Sequence, residues 1–209
     1  MKKKRDTQPL KAKVHCSPDG SHVGLSEARQ AYGQFLEAIG IGHALTDLAE
    51  TARLSSELLV QLTSGVRQPV PALSLIEHAV KPEADWIILD DIPFYSLCEH
   101  HFVPFFGHAK IEYRPLRWIA GLGGFVRIVD HFSKQPQLQE RLTEQIGRTL
   151  VDQLEPLSLR VTLKARQMCV ELKGMPAIHV ETHFEFSANE GRSSLGITPA
   201  ESGDFVAKD

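Results

Sequence analysis

Two runs of alternating apolar and polar residues near the C-terminal end constrain the fold of this chain most strongly. The first run covers residues 157–165 and the second covers residues 178–186. In each run every second residue is apolar, which is the period of a strand with one buried face. The dipeptide Lys173-Gly174 lies between the runs and is typical of a turn. The pattern therefore predicts a β-hairpin and, with it, an antiparallel sheet.

Helices and further strands are predicted from the same kind of periodicity. Apolar residues that recur at intervals of three and four indicate four amphipathic helices, at residues 25–39, 45–62, 124–134 and 137–154. Short strands are expected at residues 86–89 and 109–114. Together these elements predict the α+β class, with an antiparallel sheet that carries helices on one face.

Composition divides the chain into four parts, with an irregular connection between the second and the third. The parts are a mobile N-terminal arm at residues 1–24, an N-terminal helical segment at 25–66, a sheet-containing domain at 84–187 and a loose C-terminal tail at 188–209. Three prolines between residues 66 and 83 indicate that the connection is irregular.

Charge and hydropathy exclude several classes of function. The net charge of −3 argues against a nucleic-acid-binding protein, and the basic cluster at positions 2–5 is more typical of a solvated terminus than of a nucleic-acid or targeting patch. No apolar run approaches the roughly 20 residues that span a bilayer, and the basic N-terminus is not followed by the apolar segment of a secretory signal. We therefore expect no membrane association and a cytoplasmic location.

A possible metal site begins at Cys98 and His101, whose C-x-x-H spacing lets one tight turn supply two ligands. The chain has three cysteines, too few for a disulfide framework. Cys16 lies in the N-terminal arm, which leaves Cys169 as the third candidate ligand. Two thiolates and one imidazole leave a fourth position for water, as in catalytic zinc sites. Spacing alone leaves open the alternative of three ordinary buried residues.

Two longer stretches resemble a known family. The segments IPFYSLCEHHFVPFFGHAKIEYRP and RIVDHFSKQPQLQERLTEQIGRTL are similar to GTP cyclohydrolase I, a zinc enzyme that opens the imidazole ring of GTP. The resemblance covers residues 85 to about 187. It implies the tunnelling fold (T-fold) for the catalytic domain at 84–187, and a homodecamer with active sites at subunit interfaces.

The resemblance also implies roles for individual residues. Cys98, His101 and Cys169 would bind Zn²⁺, and His100 would carry a proton beside the water at the metal. Attack at the C8 atom of a purine requires an activated water and an acid near N7, because C8 is electrophilic only when N7 is protonated or hydrogen-bonded.

Substrate binding is assigned to the segment around Glu140. By resemblance, this carboxylate would grip the amidine edge of guanine, where two N–H donors suit a carboxylate. Gln139 is its neighbour and would also contact the substrate. Arg127 would bind the triphosphate, and Lys173 stands where the family has an arginine, so that the charge is kept but not the two-pronged guanidinium.

Three other departures from the family pattern occur in the sequence. Gln167 replaces a histidine two residues before Cys169, and a glutamine can form hydrogen bonds but cannot shuttle a proton. Gly123 and Gly124 replace a serine and a lysine. In the second helix the family's Thr-Pro-x-Arg becomes Thr-Ala-Arg-Leu, which moves Arg53 by one residue and so by roughly 100° around the helix.

These departures suggest a specific hypothesis. The metal and base-recognition residues remain, whereas most cationic partners of a triphosphate are lost, which predicts a zinc hydrolase for a guanine-type purine with fewer phosphates. The alternative is a catalytically weakened homologue that acts as a binding or regulatory subunit.

A second cluster of possible ligands lies on the last predicted strand. His179, Glu181 and His183 project from one face and could hold a further metal ion. An exposed polar face or a subunit contact is the interpretation we favour for this row.

Overall fold

The computed structural model describes residues 24–77, 86–189 and 192–199, and the chain divides into two compact units, residues 1–60 and 61–209. Cys16 and the predicted arm up to residue 23 lie outside the described residues, as do residues 78–85, 190–191 and 200–209. No helix in the described ranges has the length and apolar character that a membrane span requires.

In its described residues, the first unit contains the two predicted N-terminal helices. Helix α1 spans Leu25–Ala38 and helix α2 spans Leu48–Leu62, with a short 3₁₀ turn between them and with the last residues of α2 falling in the second unit. Gly40 adopts a left-handed conformation (φ 81°) just after α1, as glycine does at helix ends. Helix α2 begins later than residue 45 because the Asp47 carboxylate accepts the Glu50 backbone N–H at 2.9 Å and so caps it.

The second unit is built on a six-stranded sheet. Its strands are β2 (Ile87–Cys98), β3 (Pro104–Arg114), β5 (Pro136–Gln137), β6 (Ser158–Gln167), β7 (His179–Ser187) and β8 (Arg192–Pro199). They lie in the order β5-β2-β3-β6-β7-β8, and every pair is antiparallel except β2 with β5. Strands β1 (Leu75–Glu77) and β4 (Trp118–Ala120) form a separate antiparallel pair.

Helices α3 (Leu122–Ser133) and α4 (Gln139–Leu154) cover one face of this sheet. The predicted stripe on α4 is buried, and so are the alternate apolar residues of β3 and β6, which include Ile111, Val161 and Leu163 at 0% exposure. The α+β class, the mainly antiparallel sheet and the helices on one face are therefore confirmed. The core lies between α3 and α4 and this face.

Two glycines allow neighbouring elements of this core to approach each other closely. Gly107 of β3 lies opposite Ala165 of β6, and a Cβ atom there would overlap the Lys164 carbonyl oxygen. Gly147 lies where α4 crosses β7, and a Cβ atom would overlap the ring of Phe184. Any larger side chain at either position would push neighbouring elements apart.

Three local expectations were wrong. The strand predicted at 86–89 runs to Cys98, because an irregularity between Leu89 and Ile92, with Asp91 at φ 62°, lets it continue past the polar residues that interrupt the alternation. The connection at 66–83 contains strand β1. The tail predicted to be loose from residue 188 contains β8, whose backbone pairs with β7 although its sequence is rich in serine and glycine.

Candidate metal centre

The three predicted ligands come together at one end of the sheet. Cys98 is the last residue of β2, His101 lies in the following turn, and Cys169 lies in the short helix α5 (Met168–Glu171) that directly follows β6. One ligand atom from each lies within 4.8 Å of the others, and Cys98 Sγ is 3.7 Å from His101 Nδ1. Sulfur and nitrogen ligands on a tetrahedral ion stand about 3.6 Å apart. The geometry and the donor set therefore fit a metal ion.

The turn that carries His101 is closed by its own backbone. Phe102 N–H donates to the Cys98 carbonyl at 2.8 Å, and Cys98 N–H donates to the Val103 carbonyl at 2.9 Å. Phe102 adopts a left-handed conformation (φ 56°), which costs a residue with a bulky side chain about 1–2 kcal/mol. Such strain is typical of sites where geometry is held for function.

Helix α4 also holds this turn in place. Arg141 donates to Glu99 Oε2 at 2.6 Å, to Gln137 Oε1 at 2.9 Å and to the Pro136 carbonyl at 2.8 Å. Glu99 follows Cys98 directly, and its N–H donates to the Gln137 carbonyl at 3.1 Å. This role of Arg141 could not be predicted, because a charged residue on a helix gives no sequence signal of a partner 42 residues away.

The segment that carries Cys169 has its own ion pair. Arg166 binds Glu171 through two hydrogen bonds of 2.6 Å each, which ties the end of β6 to α5. Hydrogen bonding to Arg166 lowers the pKa of Glu171 below its usual range. Burial raises the pKa of the Cys169 thiol, and the neighbouring Cys98 thiol raises it further. A bound cation would instead lower the pKa of the Cys169 thiol.

His100 and Lys173 flank the predicted ligand His101. The His100 ring is exposed and lies edge-on to the His101 ring, with 6.2 Å between centroids. Lys173 Nζ is 2.7 Å from His101 Nε2, the ring nitrogen that faces away from Cys98. An ammonium can donate to Nε2 only when that nitrogen carries no proton, so a metal on Nδ1 of the neutral ring would require Lys173 to find another acceptor.

Gln167 and Gln139 contact each other beside this group. Gln167 is half-buried at the end of β6, and its Nε2 donates to Gln139 Oε1 at 2.6 Å. Gln139 is 4% exposed at the start of α4. Its side-chain amide is bound by protein groups on both sides, which was not expected of a substrate-binding residue.

The side chains of Glu140 and Arg127 form no hydrogen bond or ion pair within the described part of the chain. Glu140 is half-buried in the first turn of α4 and directly precedes Arg141, so the helix that bears this carboxylate is the one that contacts the turn of Cys98 and His101. Arg127 is exposed in α3. Both side chains are available to a ligand.

The structure gives a physical context for the departures at Gly124 and Arg53. A Cβ atom on Gly124 would lie 2.6 Å from Leu73 Cδ2, so the Leu73 side chain occupies the space that a longer residue would need. Arg53 is bound by Glu50 at 2.6 and 2.8 Å and by Glu57 at 2.8 Å. Its guanidinium is already neutralised by two carboxylates.

The row of His179, Glu181 and His183 shows no comparable convergence. Glu181 pairs with Lys164 at 3.0 Å and with His183 at 3.2 Å, and His183 Nδ1 lies 3.1 Å from Thr162 Oγ1. Within residues 24–77, 86–189 and 192–199, the only group of three or more possible metal ligands is Cys98, His101 and Cys169. These contacts favour a polar face over a second metal site.

The segment that contains the three candidate ligands also matches known proteins in sequence. The family model for GTP cyclohydrolase I matches residues 28–192. The GTP cyclohydrolase 1 of Janthinobacterium sp. (strain Marseille) is 40% identical over 151 residues, which cover 72% of this chain and 76% of that protein. The GTP cyclohydrolase 1 of Streptococcus pyogenes is 37% identical over 154 residues, which cover 73% of this chain and 79% of that protein.

One solved structure shows a weaker similarity. The crystal structure of the archaeosine synthase QueF-Like in the apo form matches with a TM-score of 0.42 and 20% sequence identity, over 51% of this chain and 95% of that chain. A similarity of this size supports no conclusion about the site.

Proposed function

Because the chain belongs to the GTP cyclohydrolase I family, whose members are hydrolases of cyclic amidine C–N bonds, we propose that it is a zinc-dependent cyclohydrolase that opens the imidazole ring of a guanine-type purine. We further propose that its substrate carries fewer phosphates than GTP. The observation that carries the proposal is the convergence of Cys98, His101 and Cys169 within 4.8 Å.

Zinc held by two thiolates and one imidazole supplies a Lewis acid and activates water at neutral pH. The remaining work falls to this chain's own side chains. In our proposal Glu140 binds the guanine N–H groups as a carboxylate, which orients the ring. His100 moves the proton, since an imidazole can both donate and accept a proton and this ring is exposed beside His101. Gln167 only forms hydrogen bonds, because an amide does not titrate.

The state of the cationic side chains supports a substrate with fewer phosphates. Arg53 is bound by two glutamates, and Leu73 fills the space beside Gly124. Arg127 is exposed without a partner within the described residues, and Lys173, once a metal occupies His101, is the second cation available to phosphate. Each missing charged hydrogen bond costs about 1.5–3 kcal/mol of triphosphate affinity.

A substrate panel tests the proposal. Zinc-loaded protein is incubated with GTP, GMP, guanosine and guanine, and formate release and ultraviolet absorbance are followed. We expect formate from GMP or guanosine at a kcat/KM no lower than that for GTP. Robust conversion of GTP to a fluorescent pterin would contradict the proposed substrate class and indicate the ordinary family activity.

A binding or regulatory role is the second candidate, and the replacement of a titratable residue by Gln167 is the observation that favours it. Single-turnover formate release separates the two. Absence of formate with every purine, in protein that carries a full complement of zinc, would favour the binding or regulatory role over catalysis.

We also propose that the protein forms a homo-oligomer, a decamer by family resemblance. Helices α1 and α2 expose large apolar side chains, among them Phe35 and Leu58 at 54% each. We propose that these side chains form one apolar patch, since contiguous apolar surface is typical of sites that bind another protein. Native mass spectrometry tests the subunit count, and a monomer at micromolar concentration would contradict this part of the proposal.

A further inference from the structure

A closed set of hydrogen bonds fixes the orientation of the Gln139 side chain. Gln139 Nε2 lies 3.0 Å from the Leu163 carbonyl, 2.9 Å from the Val180 carbonyl and 3.3 Å from Thr182 Oγ1. Thr143 Oγ1 donates to the Gln139 carbonyl at 2.8 Å and lies 2.6 Å from Thr182 Oγ1. Thr143 uses its one proton on that carbonyl, so Thr182 donates to Thr143 and keeps a lone pair for Gln139.

The opposite orientation of Gln139 is excluded by chemistry. Backbone carbonyls only accept, so the atom that faces Leu163 and Val180 must be the amide nitrogen. If the amide were turned over, its oxygen would face two other oxygens in a site that is 4% exposed. Gln139 therefore presents its oxygen to Gln167.

The same logic fixes Gln167. The atom that meets Gln139 Oε1 at 2.6 Å must be a donor, which in glutamine is Nε2. The Oε1 atom of Gln167 is then the free hydrogen-bonding end, and no partner within the described residues satisfies it. This end belongs to a residue that stands two positions before Cys169.

We propose that Gln139 is a positioning residue rather than a substrate contact, and that it makes Gln167 a fixed hydrogen-bond acceptor which selects a ligand with an N–H group on its imidazole ring. The choice of a guanine nucleoside as this ligand rests on the proposed function. An acceptor at this position repels the lone pair of an unprotonated ring nitrogen and binds a ring N–H.

Two glutamate variants test the orientation without any ligand. Gln167→Glu replaces the donor by a carboxylate, which would face Gln139 Oε1 oxygen to oxygen. Gln145→Glu is the matched control, because Gln145 is also half-buried in this unit but its Oε1 accepts a hydrogen bond, from Gln137 at 2.7 Å. A carboxylate keeps that bond.

Urea unfolding of the zinc-loaded variants at pH 7.5 gives the result. We expect Gln167→Glu to raise the unfolding equilibrium constant at least about fivefold and Gln145→Glu to change it less than about twofold. If Gln167→Glu is as stable as the control or more stable than the parent protein, Gln139 presents its nitrogen instead and the proposal is wrong.

Two nucleosides test the selectivity. Guanosine has a lone pair at N7, whereas 8-oxoguanosine has an N7–H group, and calorimetry measures the binding of each to the zinc-loaded parent protein and to Gln167→Met. We expect the variant to lose about five- to tenfold affinity for 8-oxoguanosine and less than about twofold for guanosine. Each loss is the ratio of parent to variant affinity for one nucleoside, so the contact of that nucleoside with the metal cancels.

If Gln167→Met loses equal affinity for the two nucleosides, the proposed selectivity is wrong. The variant Gln167→His keeps one N–H for Gln139 and one acceptor nitrogen at pH 8, so it should retain the preference for 8-oxoguanosine. If neither nucleoside binds the parent protein, the proposed function fails for this ligand class and the selectivity fails with it. The two glutamate variants still decide the orientation of Gln139.

Discussion

Arg141 of helix α4 binds Glu99, which lies in the turn between the predicted ligands Cys98 and His101, with 2.6 Å between the guanidinium nitrogen and the carboxylate oxygen. The same guanidinium binds Gln137 and Pro136, which precede α4. The turn of the candidate metal centre is thus fastened to the helix that carries the predicted base-binding carboxylate.

This contact predicts that alanine substitutions of two arginines on α4 have unequal effects on stability and on zinc binding. Arg141→Ala removes three hydrogen bonds, one of them to a carboxylate, and should lower the free energy of unfolding by about 1–2 kcal/mol. It should also weaken zinc binding by up to about tenfold, because the turn loses its anchor. Urea unfolding and competition with a zinc chelator measure the two effects.

Arg148→Ala is the matched control for Arg141→Ala. Arg148 pairs with Glu144 one turn away on the surface of the same helix, at 2.7 Å, and such pairs contribute about 0.5 kcal/mol or less. Equal effects of the two substitutions on zinc affinity would show that the Arg141 contact does not hold the turn.

A second prediction concerns the pH dependence of the α5 segment. The pKa of Glu171 is lowered by Arg166, so the ion pair stabilises the folded state above the carboxyl's usual pKa and loses this contribution as the pH falls through the lower folded value. Between pH 5 and pH 3, the free energy of unfolding should fall more steeply for the parent protein than for Glu171→Gln. Parallel pH profiles of the two proteins would contradict this prediction.

A third prediction concerns the space beside Gly124. Gly124→Lys should lower the free energy of unfolding by about 1–3 kcal/mol, because the new side chain meets Leu73. In combination with Leu73→Ala the clash is removed, so the double variant should be more stable than the sum of the two single effects by about 1 kcal/mol. Additive effects on the free energy of unfolding would mean that Leu73 does not block this position. Gly123→Ser, at the exposed neighbouring glycine, serves as the control.

A fourth prediction concerns the different contributions of two α4 carboxylates to guanosine binding. Glu140→Gln should weaken guanosine binding by about 1.5–3 kcal/mol, which is about 10- to 150-fold, because a carboxylate that accepts two N–H groups is replaced by a neutral amide. Glu144→Gln changes a residue that is paired with Arg148 and should have no effect on binding. Similar calorimetric titrations of the two variants would remove Glu140 from the proposed binding site.

The fold was predictable where a local periodicity of apolar residues determines the secondary structure. The alternation at 157–165 and 178–186 and the apolar stripe of α4 each report burial of a single face, and these elements were correct. Strand β8 was missed because its pairing with β7 uses backbone groups, which no side-chain pattern in a segment rich in serine and glycine reveals.

The convergence of three candidate metal ligands was predictable from the sequence, but the contacts that hold them in place were not. The C-x-x-H spacing and a third cysteine gave the group of Cys98, His101 and Cys169 that the structure brings together. The bond from Arg141 to Glu99 and that from Gln167 to Gln139 join residues 42 and 28 positions apart, so they depend on tertiary structure alone. The roles of His100, Glu140 and Arg127 stay predictions.

X-ray absorption at the zinc edge tests the central claim most directly. The account predicts one zinc ion per chain, with two sulfur ligands at about 2.3 Å and nitrogen or oxygen ligands at about 2.0–2.1 Å, and with a single sulfur in Cys169→Ser. A spectrum of the parent protein with only nitrogen and oxygen ligands, or with the same sulfur count in Cys169→Ser, would contradict it.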